Sequence, residues 1–437
     1  MDKLSQLKQR GSFVNVLILG SGGREHALVK ALLQSPDVIQ IHVIPGNDGI
    51  QMHALCHQIN LQNPEELQTF VKQKQINLVV VGPEQPLCDG ISDILKINNI
   101  PVFGPNKAAA QLEGSKIFAK NFMNKHKIPT AKSVTVKSVQ NIEESMDQFQ
   151  APYVLKADGL AAGKGVAICN TKEELLVQAD NYFNKNIFGE AGTTALLEQH
   201  LEGYELSCLV LTNGQRFQIL PFIQDHKRLL DEDLGPNTGG MGTAGPVNIH
   251  SSLKDDIAQK IVIPTLEGIQ NQSDFEYNGV LFIGLMVTEQ GPKVIEYNVR
   301  FGDPELQCIL PLLNGDWAEV FKSIASGDCP TLKWKPLYSA CVVLAAEGYP
   351  ENPVKGVPIE GDITHETPSS YFLYAGIKKD QDNKFYTNGG RVINSVGIGD
   401  SLQQAIENAY KQAQYIQWKN YQFRKDIGKK LLSPSKG

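Results

Sequence analysis

Carboxylate, amide and guanidinium groups recur every second residue in VIEYNVRFGDPE, where Glu296, Asn298 and Arg300 alternate with Ile295, Tyr297 and Val299. A strand turns alternate residues to one face, so this spacing predicts a row of polar side chains. Carboxylate and amide oxygens two residues apart suit a hard cation. Asn is depleted in strands, which favours that use over a half-exposed amphipathic strand. Upstream, QDHKRLLDEDLGPNTGGMG sets Asp225, Lys227 and Arg228 beside Gly235, Gly239, Gly240 and Gly242. Glycine lets backbone approach a ligand closely, so this loop is expected to handle a small charged molecule.

Other patterns point to phosphate. Lys156 lies in the apolar strand YVLKADG, which feeds a Gly-rich hairpin from Gly159 to Gly165. Such a lysine places a point charge on a polyphosphate while backbone amides cover it, although a snorkelling lysine beside a turn has the same pattern. Lys164 is followed by Gly165, so this is no Walker A loop. GSGGRE, Gly20 to Glu25, follows an apolar strand and opens a helix, a place for an anion or simply a tight connection. Glu25 stands where the third glycine of a dinucleotide fingerprint belongs, and the second strand ends in Ile44-Pro45 without an acid for a ribose. Glu198 and Glu205 flank a short turn, where backbone from Glu198 to Leu201 could meet an adenine edge and Glu205 ribose hydroxyls; exposed strand-end acids are the plainer account. His26, His200 and His226 lack metal-ligand spacing, and no catalytic histidine is assigned.

Around these residues, apolar runs and amphipathic segments alternate from Val14: VNVLILG, REHALVKALLQS, VIQIHVIPG, NPEELQTFVKQKQ, INLVVVGPE and IPVFGP. Strands apolar on both faces with helices between them predict a doubly wound parallel sheet. One helix is expected over 112–126. A strand-rich section follows, with a hairpin signal at Asn213-Gly214, and 330–336 reads as a linker to a last segment that opens on SACVVLAAEGYP and ends in the helix DSLQQAIENAYKQAQ.

The 437 residues carry 41 basic and 47 acidic side chains, a net charge of −6, which argues against a general nucleic-acid or anionic-membrane binder. Seven scattered cysteines without CxxC spacing indicate neither a disulfide framework nor a zinc ribbon, as in a reducing cytoplasm. No apolar stretch reaches the ~20 residues of a membrane span. The N-terminal Lys3, Lys8 and Arg10 precede an apolar run too short for a secretory signal, so 1–12 reads as a polar tail.

Taken together, GSGGREHAL, VVVGPEQPL, FGPNKAAAQLEGSK, VLKADGLAAGKGV, QDHKR, GPNTGGMG, VIEYNVRFGDPE and TNGGRV stand in the order and spacing that resemble the phosphoribosylamine–glycine ligase (glycinamide ribonucleotide synthetase) family of ATP-grasp enzymes, from about Val14 to Ile427. The resemblance implies a fold of class α/β and α+β: a doubly wound substrate domain over 13–111, an ATP-grasp central domain over 112–132 and 200–330 with a mobile lid over 133–199, and a mixed α/β domain over 331–437. It implies ATP-dependent ligation of glycine to 5-phosphoribosylamine in purine biosynthesis through an acyl phosphate, by a cytoplasmic monomer with no nucleic-acid or membrane partner. By position, Lys116, Lys156, Gly159, Gly163, Lys164 and Gly165 resemble phosphate-holding groups, and Glu198, Leu201 and Glu205 surround adenosine. Glu296 and Asn298 resemble ligands of Mg²⁺ or Mn²⁺. Where many ATP-grasp enzymes carry a further acid on the preceding strand, this chain has Gly284. Arg300 is the candidate for glycine's carboxylate or the acyl phosphate and Asp225 for the amine side, with Lys227 a further catalytic candidate and Gly240 a further substrate-binding one. Glu84 is expected on ribose hydroxyls, with Gly22, Gly23, Lys378 and Arg391 on the substrate phosphate. Another ATP-grasp ligase, a nucleotide binder without turnover and a reductase are the competing readings.

Overall fold

The computed structural model describes residues 13–160 and 165–432; the polar tail, Gly163 and Lys164 lie outside them. Five parallel strands form the first sheet in the order Leu55–Cys56, Val38–Pro45, Val14–Gly20, Leu78–Val81, Val102–Phe103. Both faces of its central strand are buried. Leu17 and Leu19 pack with Leu67 and Phe70 of helix Pro64–Gln73, while Val16 and Ile18 pack with Ala27 and Leu28 of helix Gly23–Leu32. Helices on both faces make the sheet doubly wound, as the unbroken apolar runs require. Sequence marks the start of Pro64–Gln73 plainly: Asn63 Oδ1 accepts from Glu66 N, Pro64 opens the helix and Glu65 and Glu66 follow.

The single helix expected over 112–126 is instead two, Lys107–Gly114 and Lys116–Lys125, broken at Ser115. Ser115 is extended and its Oγ accepts from Phe118 N at 3.0 Å, so the hydroxyl competes successfully with helix continuation. The break leaves Lys116 at a helix start, beside the glycine-rich hairpin.

The segment over 133–199 forms an antiparallel sheet in the order Ser133–Val136, Ala195–Gln199, Tyr153–Ala157, Val166–Cys169. Val136, Leu155 and Leu197 pack there with Leu175 and Tyr182 of helix Lys172–Phe183, a core of its own. The central sheet runs Phe217–Ile219, Tyr204–Thr212, Gly279–Thr288, Gly291–Asn298, and the hairpin at Asn213-Gly214 forms as expected.

The last sheet draws strands from both sides of the expected boundary. It runs Gln224–Asp225, Gly242–Gly245, Tyr338–Ala345, Arg391–Gly399, Ser370–Tyr374, so two strands from within 200–330 pair with the C-terminal strands. Pairing across about a hundred residues of chain leaves no local trace in sequence. Among the described residues no helix is long and apolar enough to cross a membrane.

Candidate active site

The cleft between these sheets begins with two lysines. Lys116 Nζ donates to Gly159 O at 2.9 Å, and Asp158 holds the helix start by accepting from Ser115 Oγ at 3.0 Å and Ile117 N at 3.1 Å. Burial lowers the Lys116 pKa, Lys156 adds to that, and Glu296 opposes it. Gly159 has φ +97°, a left-handed conformation natural only to glycine, and Gly165 O accepts from Ala157 N across the hairpin.

Lys156 belongs to a buried triad that sequence reading missed. Glu198 accepts from Lys156 Nζ at 2.7 Å through one oxygen and from Lys120 Nζ at 2.9 Å through the other. Lys120 also donates to Thr130 Oγ1 at 2.8 Å and Ala131 O at 3.1 Å, which uses all three of its hydrogens. Burial alone would raise the Glu198 carboxyl, yet the two lysines hold it below its ordinary value. Glu198 is therefore no exposed acid; its carboxylate orients Lys156. A bulge completes the arrangement. Gly284 pairs with Glu296 and Leu285 with Val294, so Ile295 has no residue opposite it, and its carbonyl accepts from Lys156 Nζ at 3.3 Å. Beyond the turn, Leu201 is partly buried and Glu205 stands exposed at the cleft mouth. Desolvation nonetheless raises the Glu205 carboxyl, with Asp225 and Glu296 adding to the shift and Lys227 opposing it.

The expected polar row is present. Asn298 Nδ2 approaches Glu296 Oε1 at 3.4 Å, Arg300 Nη2 donates to Asn298 Oδ1 at 3.3 Å, and Tyr297 turns away to bond Thr265 Oγ1 at 2.7 Å. Glu296 acts electrostatically on Lys116, Lys227 and Arg300. A Cβ at Gly284 would lie 3.1 Å from Glu296 Cγ, so the residue that replaces the further acid makes room for the glutamate stem. Among the described residues no group of three or more His, Cys, Asp or Glu could hold a metal alone. One carboxylate and one amide oxygen fit an ion held jointly with substrate phosphates.

Arg300 is more engaged than expected. It pairs with Glu84 at 3.2 Å and with Glu113 at 3.1 Å, and Nη1 donates to Phe301 O at 3.2 Å. Glu84 therefore meets Arg300 and is not among the residues lining the pocket between the first and last sheets. Glu113 also accepts from Val299 N at 2.7 Å, and burial pushes its carboxyl up to about 7 despite the Arg300 charge. Its only sequence signal was membership of FGPNKAAAQLEGSK.

On the amine side, Asp225 and Lys227 pair at 2.6 Å, and Glu305 lies 3.9 Å from the same ammonium. Burial would lower the Lys227 pKa, but Asp225 and Glu305 raise it above the ordinary lysine value. His226 points the other way: Gly428 N donates to its Nε2 at 3.2 Å, so Nδ1 carries the proton and donates to Gly242 O at 3.1 Å. Gly240 has φ +115°, and a Cβ there would meet Pro304 at 2.6 Å and Asp225 Oδ1 at 3.0 Å.

A pocket of about 330 Å³ lies where the first and last sheets meet, lined by Ser21, Gly22, Asn47, Asp303, Arg391 and Asn394 among others. Asn47 joins the two sides by donating to Ser21 O at 2.7 Å and Ala375 O at 3.0 Å. Arg391 pairs with Asp303 at 3.3 Å and donates to Gly239 O at 3.0 Å, while Gln307 holds Asp303 at 2.7 Å. The glycine turn departs from expectation: Gly22 N already donates to Glu25 Oε2 at 2.6 Å. Lys378 is exposed beside the buried Ile377 and is not among the lining residues.

Two lysines beside a hairpin, an acid–amide pair on the facing strand and a second charged pair beyond it fit the phosphate chemistry of an ATP-grasp ligase. The biotin carboxylase domain of Hydrogenobacter thermophilus 2-oxoglutarate carboxylase shares the fold at TM-score 0.72 over 94% of this chain and 92% of that one, with 16% identity. Family models described as phosphoribosylglycinamide synthetase match successive parts of the chain: N domain over 14–113, ATP-grasp (A) domain over 114–306 and C domain over 339–430. The chain belongs to the phosphoribosylglycinamide synthetase family. It is 40% identical over 422 residues to the phosphoribosylamine–glycine ligase of Fusobacterium nucleatum, covering 95% of this chain and 98% of that one. The ligase of Halalkalibacterium halodurans is likewise 40% identical over 423 residues, 96% of this chain and 98% of that one. A crystal structure of the Thermotoga maritima ligase superposes with TM-score 0.83 at 35% identity, covering 95% of this chain and all of that one.

Proposed function

We propose that the chain joins glycine to 5-phosphoribosylamine, giving glycinamide ribonucleotide, ADP and phosphate, as a cytoplasmic monomer using Mg²⁺ or Mn²⁺. The observation that carries this reading is the polar row of Glu296 and Asn298, whose carboxylate acts electrostatically on both Lys116 and Lys227 and so links the Lys116–Lys156 group with the Asp225–Lys227 pair. In the first step, glycine's carboxylate oxygen attacks the γ-phosphorus of ATP and the bond to ADP breaks, leaving glycyl phosphate. In the second, the amine of phosphoribosylamine attacks the acyl carbon, loses a proton and expels phosphate.

Both steps bring like charges together, so they need neutralisation and fixed geometry more than a covalent enzyme nucleophile. Lys116 and Lys156 supply positive charge to the phosphates, and Glu198, Lys120 and the Ile295 carbonyl keep Lys156 in place. Glu296 and Asn298 would hold a divalent ion, which would supply positive charge against that of the phosphates. Arg300 faces the reacting carboxylate with Asn298 at its side, Asp225 and Lys227 receive the amine, and the Arg391 pocket takes the sugar phosphate.

The test is a coupled assay of ADP release with phosphoribosylamine generated in place. Release should require both glycine and the amine, with formate and bicarbonate inactive as replacements. Release driven by formate or bicarbonate would indicate a different ligase, and ATP binding without glycine-dependent phosphate release would indicate a protein without turnover.

A further inference from the structure

The strand Arg391–Gly399 contains a second bulge. Leu344 pairs with Ile393 but Ala345 pairs with Arg391, so Val392 has no residue opposite it in that strand. Without an extra residue, Arg391 and Asn394, three apart, would face opposite sides of the sheet. The bulge reverses the alternation and brings both into the wall of the 330 Å³ pocket. Residues of the other phase turn away, as Ser395 does when its Oγ donates to Ala409 O at 2.6 Å.

Asn394 is 1% exposed, and among the described residues neither its Nδ2 nor its Oδ1 has a hydrogen-bond partner. A buried primary amide with every donor and acceptor open is costly to keep, and such groups are ordinarily satisfied. Its amide also presses on the start of helix Gly23–Leu32: a Cβ at Gly23 would fall 1.9 Å from Nδ2, so the second glycine of the turn is there to admit Asn394. Gly22 N, the amide expected to receive an anion, is engaged by Glu25. What remains open at this end of the pocket is an amide with two N–H donors, with the orphaned Gln307 Oε1 nearby, beside the Arg391 guanidinium that Asp303 pairs and a helix N-terminus that Glu25 caps, so added donors are available to an anion.

We infer that Asn394 is a substrate contact whose Nδ2 donates to the phosphoryl oxygens of the sugar phosphate, a role placed on it by the Val392 bulge and the absent side chain of Gly23. This rests on the reading that phosphoribosylamine occupies the pocket. A hydrogen bond to a charged group has a net worth corresponding to about 10- to 100-fold in affinity. Asn394→Ala should therefore raise KM for phosphoribosylamine by about 10-fold or more, while KM for ATP and for glycine stays within about two-fold. Asn394→Asp should raise it further, because a carboxylate repels the phosphate. Gly23→Ala, which displaces the amide, should reproduce much of the Asn394→Ala effect and add little to it in the double variant.

Ribose 5-phosphate titrated by calorimetry supplies a readout free of turnover, with the expected heat in the parent and its loss in Asn394→Asp. Thermal unfolding midpoints near the parent value show that each variant is folded, and Asn394→Ser replaces any that is not. Unchanged KM in both Asn394 variants, with Arg391→Met still raising it, would overturn the inference and leave the functional reading standing. Retained affinity in Asn394→Asp would also overturn it, since an aspartate still accepts from a sugar hydroxyl but cannot serve a phosphate. Absence of any dependence on phosphoribosylamine in the parent would instead defeat the reading beneath it.

Discussion

In the central sheet the extra residue of a bulged strand, Ile295, gives its carbonyl to Lys156, while in the last sheet the extra residue Val392 places Asn394 in the wall of a pocket with neither polar atom hydrogen-bonded among the described residues. The same backbone irregularity thus serves opposite ends. Around Lys156 the protein satisfies its own charges before any ligand arrives: both Glu198 oxygens and all three Lys120 hydrogens are used. A group fixed this way is preorganised for charge that develops during reaction. Around Asn394 the protein leaves polar capacity unused, which suits recognition of a ground-state ligand. The contrast separates residues that should govern turnover from residues that should govern binding.

The largest effect that would break this contrast comes from Lys156 and Glu296. Either residue changed to Ala should cut kcat by at least about 100-fold with a parent-like circular dichroism spectrum. Normal turnover in one of these variants would remove that residue from the mechanism. Next, Lys120→Met should lower stability by about 3–5 kcal/mol in urea unfolding, because a buried carboxylate loses a partner. Combining it with Glu198→Gln should restore part of that loss, and strict additivity would mean the triad is no unit.

A third prediction concerns pH. The Glu113 carboxyl titrates near 7, so as pH falls through that value it gains a proton and loses its charge attraction for Arg300. The sign is therefore a decline of kcat/KM for glycine on the acid side of about 7. Glu113→Gln should give the low-pH level throughout and abolish this limb in a pH–rate profile. The smallest effect concerns the lid: amide exchange in Tyr153–Ala157 and Val166–Cys169 should slow several-fold when ATP is added, as closure over nucleotide requires. Exchange indifferent to ATP would count against closure.

The first sheet was legible because its signal is local: apolar runs, caps and turn residues act within a few positions. The row Glu296, Asn298, Arg300 was legible for the same reason, since alternation survives on the far side of the Ile295 bulge. What escaped depends on distance or on one-residue irregularity. Nothing near Lys120, on helix Lys116–Lys125, announces Glu198 on the strand Ala195–Gln199, and nothing near Asn394 announces the register shift that aims it. The expected helix over 112–126 misread Ser115, whose hydroxyl ends one helix and starts the next. Lys378 and the Gly22 amide show the limit of likeness by position: one is exposed away from the pocket lining, and the other is occupied by Glu25.

The strand Gly242–Gly245, held between Gln224–Asp225 and Tyr338–Ala345, also bears on how this protein tolerates rearrangement. A gene truncated near codon 330 would not shed an optional module. It would strip Gly242–Gly245 of its neighbour, bare a sticky backbone edge, and loosen the ribbon that carries Asp225 and Lys227. Chimeras between relatives should therefore survive when the crossover falls before Gln224 and fail when it falls between Gly245 and Tyr338 with mismatched partners.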